Sequence, residues 1–303
     1  MPRERRELRG YGPTAALPPW PDGHRMALSV VVNVEERSHR SPTVGDAVGE
    51  RSGEGFFALD ERGDARIDSW HDYGIDVGLP RLDSVFRRMQ IPVTAYAAAV
   101  ALERAPDAAS LIREGDYEVC SHGHRWVPTN DLTPDELREH VDAAVDSLTR
   151  TTGRRPVGWF SRGPNRHLRD VLREEGGFLY DSDAFDDDLP SFVEVQGSPW
   201  LVIPYSFTYN DMKYWRSPGV AGPSRFGQLL RDGFDRLYAE SAERPTMMSL
   251  GLHLRCSGLP SRVGVVAEFL AHVRSHPDVW VTTRSQIARW WWQHVDTVPT
   301  MRG

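Results

Sequence analysis

The chain has 303 residues, of which 40% are hydrophobic and 26% charged, as in an ordinary globular protein that can bury one large core. The net charge of -7 comes without a long basic run, which argues against nucleic acid or an anionic membrane surface as a partner. No apolar run of about 18 residues occurs, and no signal-peptide apolar segment follows the charged start. We therefore expect no membrane span and a cytoplasmic protein.

The first part of the chain contains an arm, a strand and a loop. Residues 1–26, rich in Pro, Gly and Arg, are expected to form an N-terminal arm on the surface. Residues 27–36 are an apolar, β-branched run, typical of a strand buried on both faces of a parallel sheet, and the run ends in Glu35 and Glu36. Because adjacent carboxylates repel each other and burial disfavours their charge, at least one pKa should rise, which provides a base near neutral pH. The polar residues 37–68 predict a long loop after this strand.

The rest of the chain alternates between helical and strand patterns. A start signal at Thr133, with Pro134 and Glu136 behind it, predicts a capped helix. No composition shift marks a linker, so residues 27–293 are predicted to form one domain, with 294–303 as a C-terminal tail. The predicted helices lie at 81–89, 100–114, 134–152, 165–175, 226–240 and 263–273, and the further predicted strands at 91–97, 117–122, 157–160, 178–180, 201–203, 247–252 and 279–281.

Seven or eight strands with helices between most of them favour an α/β fold, a (β/α) barrel rather than an open sheet. Polar residues fall consistently just beyond the C-terminal ends of the predicted strands, where the active sites of such barrels are built. These residues are Glu35, Glu36, His122, Arg162, Asp181, Asp183, Tyr205 and His253.

His253, at the end of a buried strand, can exchange a proton near neutral pH. Across a barrel mouth from Glu35 or Glu36 it forms an acid/base pair. Such a pair suits the hydrolysis of a C–N bond, because the carboxylate takes a proton from water and the imidazolium protonates the leaving nitrogen.

A zinc site is the alternative. His122, His124 and Glu36 could supply the His, His and carboxylate ligands of a zinc hydrolase. Gly123 between the two histidines interrupts the strand, however, so the two rings need not point the same way. We predict no cofactor, and Zn with these three ligands as the alternative.

Several blocks of the chain together carry a resemblance. The chain resembles the polysaccharide deacetylase superfamily, whose NodB-type domain is a distorted TIM-like (β/α) barrel, and within it the cofactor-independent allantoinases and related cyclic imide hydrolases. The blocks are Arg9-Gly10-Tyr11-Gly12, Asn33-Val34-Glu35-Glu36, Tyr73-Gly74, Ser121-His122-Gly123 with Arg125-Trp126, Gly177-Phe178-Leu179-Tyr180-Asp181-Ser182-Asp183, Asn210-Asp211-Met212 and Gly251-Leu252-His253.

The resemblance implies roles for individual residues. Polysaccharide deacetylases typically have two Asp where this chain has Glu35 and Glu36, and a second metal-binding His where it has Trp126. The allantoinase-like group shares the Glu pair and the Trp, and works without metal. By resemblance Glu35 is the general base and His253 the general acid. The chemistry of a fixed guanidinium, rather than the resemblance, assigns Arg162 to stabilising an oxyanion. The residues expected to bind substrate are Glu36, His122, His124, Trp126, Asp183, Tyr205 and Asn210, of which His124 replaces an apolar position of the relatives.

The predicted function is therefore a hydrolase that opens a small cyclic amide, ureide or imide. Two alternatives stay open: a saccharide N-deacetylase, and a catalytically silent ligand-binding protein. The expected partner is the small-molecule substrate. The tryptophans at 290–292 are expected to pack or to form a subunit contact rather than to bind a sugar, and the Trp-rich C-terminal end offers a surface for a homo-oligomer.

Overall fold

The computed structural model describes residues 17–50, 52–53, 56–57, 63–215, 219–220 and 222–296. Most of the predicted N-terminal arm and C-terminal tail therefore lies outside the described residues. The part of the arm that is described ends in the core, because Trp20 is buried and packs against Trp280 and Trp291 at ring-centroid distances of 5.9 and 5.3 Å. Its indole N–H donates to the Thr246 carbonyl at 2.8 Å.

The strands form a curved sheet and a separate small hairpin. In the large sheet the order is β10-β1-β4-β5-β6-β7-β9-β8, and β11 also pairs with β1. All pairings in it are parallel except the antiparallel pair β8 and β9. The strands are β1 (Met26–Val34), β2 (Ser52–Gly53), β3 (Phe56–Phe57), β4 (Val93–Ala97), β5 (Glu118–Ser121), β6 (Gly158–Trp159), β7 (Tyr180–Asp181), β8 (Ser191–Val195), β9 (Ser198–Val202), β10 (Thr246–His253) and β11 (Val279–Thr282).

Helices cover the outside of this sheet, and α10 packs against its inner core. No helix in the described part of the chain combines the length and the hydropathy needed to cross a membrane. The helices are α1 (Ala65–Tyr73), α2 (Leu79–Met89), α3 (Ala99–Glu103), α4 (Pro106–Glu114), α5 (Pro134–Thr152), α6 (Leu168–Glu175), α7 (Pro223–Glu240), α8 (Leu254–Ser257), α9 (Pro260–Arg274) and α10 (Arg284–His294).

The segment after β9 spans the gap between the two ends of the sheet. It reaches β10 through a parallel bridge between Asn210 and Gly251, and the Tyr209 carbonyl accepts the Gly251 N–H at 2.8 Å. The result is a distorted, incompletely hydrogen-bonded barrel in a single domain, which confirms the predicted fold class. The C-terminal ends of β1, β5 and β10 consequently meet at one mouth.

Three features add to or differ from the predictions. The helical segments predicted over 100–114 are two helices, because Pro106 starts α4 and cannot continue α3. The hairpin partner β8 was missed. The tryptophans at 290–292 pack as core, since Trp291 is 1% exposed and Trp292 donates to the Leu179 carbonyl at 3.0 Å. The homo-oligomer stays a prediction.

Candidate active site

Two adjacent carboxylates lie directly after β1. Glu35 and Glu36 are both buried, and the Glu36 Oε2 accepts the backbone N–H of Glu35 at 2.9 Å. Gly74 packs against Glu36 so closely that a Cβ at this glycine would lie 2.7 Å from the Glu36 Oε1. The glycine of the Tyr73-Gly74 pair therefore makes room for the Glu36 carboxylate.

The cation between the carboxylates is Arg255, which the sequence analysis missed. It belongs to the one-turn helix α8 directly after β10 and is 1% exposed. Its Nη2 donates to the Glu35 Oε2 at 2.8 Å and its Nη1 to the Glu36 Oε1 at 3.1 Å. One guanidinium thus bridges both side chains and fixes their relative orientation, as a planar fork of donors can.

The histidine at the end of β10 is held between two carboxylates. The His253 Nδ1 lies 2.7 Å from the Asp211 Oδ1, and its Nε2 lies 3.4 Å from the Glu35 Oε1. The second Asp211 oxygen accepts the His253 backbone N–H at 2.8 Å and the Ser257 hydroxyl at 2.7 Å. Asp211, also missed as a site residue, therefore orients the imidazole so that Nε2 faces Glu35.

His122 approaches Glu35 from the neighbouring side of the mouth. Its Nδ1–H donates to the Phe160 carbonyl at 2.8 Å, and its Nε2 lies 3.3 Å from the Glu35 Oε1. The ring stacks on Phe160 at a centroid distance of 5.0 Å. The structure thus brings Glu35, Glu36, His122 and His253 together.

The charges of this cluster are set by burial and by neighbours. Burial raises the pKa of Glu35, but His253, Arg255 and His122 outweigh it and hold the pKa well below its usual range. Burial raises the pKa of Glu36 to about 7, against the attraction of Arg255. Burial lowers the pKa of His253, but the Glu35 and Asp211 carboxylates outweigh it and raise the pKa to about 10. An ionised carboxylate therefore faces an imidazolium.

Trp126 forms a wall of the site. The Arg162 guanidinium carbon lies 3.7 Å from its ring centroid and that of Arg255 lies at 5.6 Å. The Arg162 Nη1 donates to the Glu50 carboxylate at 2.7 Å and to the Trp126 carbonyl at 3.0 Å. Arg162 therefore fixes the loop after β1 onto the wall. It does not contact the carboxylate pair, and its role in stabilising an oxyanion stays a prediction.

The other residues predicted to bind substrate have different surroundings. The Tyr205 hydroxyl accepts the amides of Asn33 at 3.0 Å and Asn210 at 3.3 Å. The Asp183 Oδ1 accepts the Ser161 N–H at 2.9 Å. Asp183 also lines a cavity of about 210 Å³ beside α6, whose other lining residues do not include the carboxylate pair.

His124 lies outside the cluster. Gly123, at φ 88°, turns the chain in the left-handed region, where a side chain is unfavourable. The His124 ring consequently lies edge-on to His140 of α5 at a centroid distance of 6.3 Å. The structure does not bring His124 together with His122 and Glu36 as a set of metal ligands, and its contact with substrate stays a prediction.

Two further histidines near the site had no signal in the sequence. His39 and His71 are buried and stack at a centroid distance of 4.0 Å, and His71 lies 6.0 Å from Trp126. Burial lowers the pKa of His71 well below its usual range, and Arg255 adds to this effect. His71 is therefore a neutral imidazole behind the wall.

The residues present do not fit a catalytic metal ion. The Glu36 oxygens are engaged by Arg255 and by the Glu35 N–H, and the Nδ1 of His122 is bonded to a carbonyl. Trp126 carries no ligand atom for zinc. The Arg255 guanidinium already occupies the position between Glu35 and Glu36 that a metal cation would take.

The fold is a distorted parallel barrel, and its mouth holds a buried cluster of carboxylates, histidines and an arginine. A family profile described as Polysaccharide deacetylase matches residues 65–176. A polysaccharide deacetylase-type protein of Schizosaccharomyces pombe is 32% identical over 317 residues, which cover 95% of this chain and 97% of that protein. The chain belongs to the polysaccharide deacetylase family, and it is a hydrolase that acts on carbon–nitrogen bonds other than peptide bonds.

Two solved structures share nearly the whole fold. The structure of Puue allantoinase is 38% identical, with a TM-score of 0.88 over 95% of this chain and 97% of that one. A polysaccharide deacetylase-type protein of Pseudomonas aeruginosa PAO1 is also 38% identical, with a TM-score of 0.90 over 95% and 98% of the two chains.

Proposed function

We propose that this protein opens a small cyclic amide, ureide or imide by hydrolysis without a catalytic metal ion. The observation that carries the proposal is the position of Arg255, bonded to Glu35 at 2.8 Å and to Glu36 at 3.1 Å. Arg255 thus engages carboxylate oxygens that a metal-dependent hydrolase would need for binding its metal ion. The similarity to a structure named as an allantoinase supports the same substrate class.

In the proposed reaction Glu35 is the general base and His253 the general acid. Glu35 takes a proton from water while the water oxygen attacks the ring carbonyl carbon. The His253 Nε2–H then protonates the ring nitrogen as the C–N bond breaks, which leaves a carboxylic acid and an N–H on the opened chain. Because the Glu35 Oε1 and the His253 Nε2 are 3.4 Å apart, the proton taken from water can return directly to His253.

The basicity of the departing ring nitrogen favours a cyclic imide or ureide as substrate over a simple amide. In an imide or ureide the ring nitrogen is conjugated to a second carbonyl, so the departing nitrogen is less basic than the amine released from an N-acetyl sugar. Such a bond needs less electrophilic activation than a simple amide. A site that offers fixed charges instead of a Lewis acid therefore suits this class of bond.

Saccharide N-deacetylation is the second candidate, and one feature of the surface favours it. Phe185 and Phe207 are 43% and 57% exposed and stack on each other at a centroid distance of 3.8 Å. Both follow C-terminal strand ends, and Phe185 lies 6.5 Å from Phe160, which stacks on His122. A flat apolar surface of this kind can pack against a sugar ring.

A substrate panel before and after chelation distinguishes the two candidates. We expect ring opening of at least one among hydantoin, allantoin, dihydropyrimidine and succinimide, unaffected by chelator. Glu35→Gln should abolish this turnover, while Glu103→Gln, a carboxylate of α3 bonded to Ser147 at 2.6 Å, should leave it unchanged. Release of acetate from chito-oligosaccharides without ring opening would decide for deacetylation. Ring opening lost on chelation and restored by zinc would refute the metal-free reaction.

A further inference from the structure

A second cluster of metal-binding side chains lies on the outer face of helices α7 and α9. Asp235 of α7, His272 of α9 and His276 just beyond α9 offer one ligand atom each, and these atoms all lie within 4.8 Å of one another. The His272 Nε2 is 2.6 Å from the Asp235 Oδ1. We propose that these three residues bind a divalent transition-metal ion, for which zinc is the reference.

The cluster is at the opposite end of the barrel from the catalytic cluster. Helix α7 runs into the start of β10, and α9 runs into the start of β11. The three residues lie in the last turns of these helices or just after them, near the N-terminal strand ends. The catalytic side chains lie beyond the C-terminal strand ends. A metal ion here is therefore independent of the reaction, and the proposal does not rest on the proposed function.

The hydrogen bond on the other ring nitrogen of His276 fixes the tautomer that metal binding needs. The His276 Nδ1–H donates to the His272 carbonyl at 2.9 Å, which leaves the His276 Nε2 with its lone pair for a metal. Metal-binding histidines commonly have such a bond on the second ring nitrogen, and it fixes both tautomer and orientation. The rings of His272 and His276 lie side by side, at a centroid distance of 4.9 Å.

Aromatic packing further restricts both rings. Phe234 lies edge-on to His272 at a centroid distance of 5.4 Å and to His276 at 5.1 Å, and Tyr238 lies 4.5 Å from His276. Two imidazoles and one carboxylate form a ligand set that zinc accepts, with a remaining position for water. Because α7 supplies one ligand and α9 supplies another, the metal would link the two helices and stabilise the folded state.

Calorimetric titration of the full-length, chelator-treated and desalted protein with zinc tests the proposal. We expect a single zinc ion per chain, and binding weakened at least about tenfold by His276→Ala or Asp235→Asn. Asp235→Asn changes a largely exposed side chain and keeps its volume, so the fold should persist. His294→Ala, an exposed histidine at the end of α10, is the control and should bind zinc as the parent does.

Zinc should also raise the melting temperature of the parent and of His294→Ala, but not that of His276→Ala. The proposal is overturned if the parent binds no zinc at concentrations up to about 1 mM. It is overturned equally if His122→Ala removes the bound zinc while His276→Ala retains it, because the ion would then belong to the catalytic mouth.

Discussion

Replacement of Asp211 by Asn tests how the acid of the reaction is kept protonated. Both Asp211 oxygens accept hydrogen bonds: Oδ1 from the His253 ring at 2.7 Å, and Oδ2 from the His253 backbone N–H at 2.8 Å and the Ser257 hydroxyl at 2.7 Å. An asparagine has one acceptor oxygen and one NH₂ donor. It removes the negative charge and presents a donor to one of these N–H or O–H groups.

The expected magnitude follows from the charges around His253. Burial alone lowers its pKa, and only the carboxylates of Glu35 and Asp211 raise it to about 10. With one of the two carboxylates gone and the burial unchanged, the pKa should fall by at least about two pH units, or roughly 3 kcal/mol of differential stabilisation. The imidazole would then lose its proton at lower pH, so kcat should fall at pH values above the lowered pKa, by up to about 10² to 10⁴, the usual contribution of general acid–base catalysis.

Two measurements check this prediction. The alkaline limb of the pH profile of kcat/KM should move to lower pH in Asp211→Asn, and NMR of ¹³C-labelled histidine should show the titration of His253 without any substrate. Ser257→Ala is the matched control, because it removes one hydrogen bond to Asp211 but keeps the carboxylate on His253. If Asp211→Asn retains the alkaline limb and the rate of Ser257→Ala, Asp211 does not hold the proton on His253.

Three further predictions concern the same site. Arg255→Lys keeps the positive charge but cannot bridge both carboxylates, so turnover should fall at least about tenfold, while Arg255→Met should cost about 3–5 kcal/mol in urea unfolding. Gly74→Ala places a Cβ 2.7 Å from the Glu36 Oε1, so it should inactivate the enzyme and lower its unfolding free energy by about 1–3 kcal/mol. Gly264→Ala, which has open space around its Cβ, should instead stabilise α9 by up to about 1 kcal/mol. Equal effects of the two substitutions would contradict the close packing of Gly74 against Glu36. The pKa of His253 rises on folding from 6.5 to about 10, so the protonated imidazole stabilises the folded state fully below pH 6.5, and this contribution is lost as the pH rises toward 10. Denaturant unfolding should therefore show the unfolding free energy falling by about 1.4 kcal/mol per pH unit between pH 7 and 9. In His253→Gln the fall should be less steep.

The sequence predicted the site residues that lie directly after the C-terminal ends of the parallel strands. Parallel strands bring their C-terminal ends to one mouth, so side chains directly after an apolar run can be placed without knowing the exact register. Glu35, Glu36, His122 and His253 are all of this kind. The acid/base hypothesis needed only that His253 and the carboxylates should face one another.

The positions of Arg255 and Asp211, which the sequence did not predict as site residues, depend on features that leave no periodic pattern in the sequence. Arg255 lies two residues after a strand, on a single helical turn, and its sequence context is that of an ordinary surface arginine. It reaches the carboxylates because Gly74 and Gly78 let α8 pack closely against the segment that contains them. Asp211 lies in a polar, aromatic segment, and only the bridge from its neighbour Asn210 to β10 places it beside His253.

The charge of the buried site explains why an arginine and a metal ion are alternatives at this mouth. The carboxylates of Glu35 and Asp211 face the positive charges of Arg255 and the protonated His253, and the pKa of Glu36 is raised to about 7. A divalent ion added here would bring two further positive charges into a neutral, buried region. It could bind the carboxylates only by displacing the guanidinium, which would then be buried without a partner at high cost. Arg255 occupies the place of a cation, and Trp126 offers no ligand for one. We therefore expect these two residues to occur together. A relative with a histidine in place of Trp126 should consequently lack the arginine.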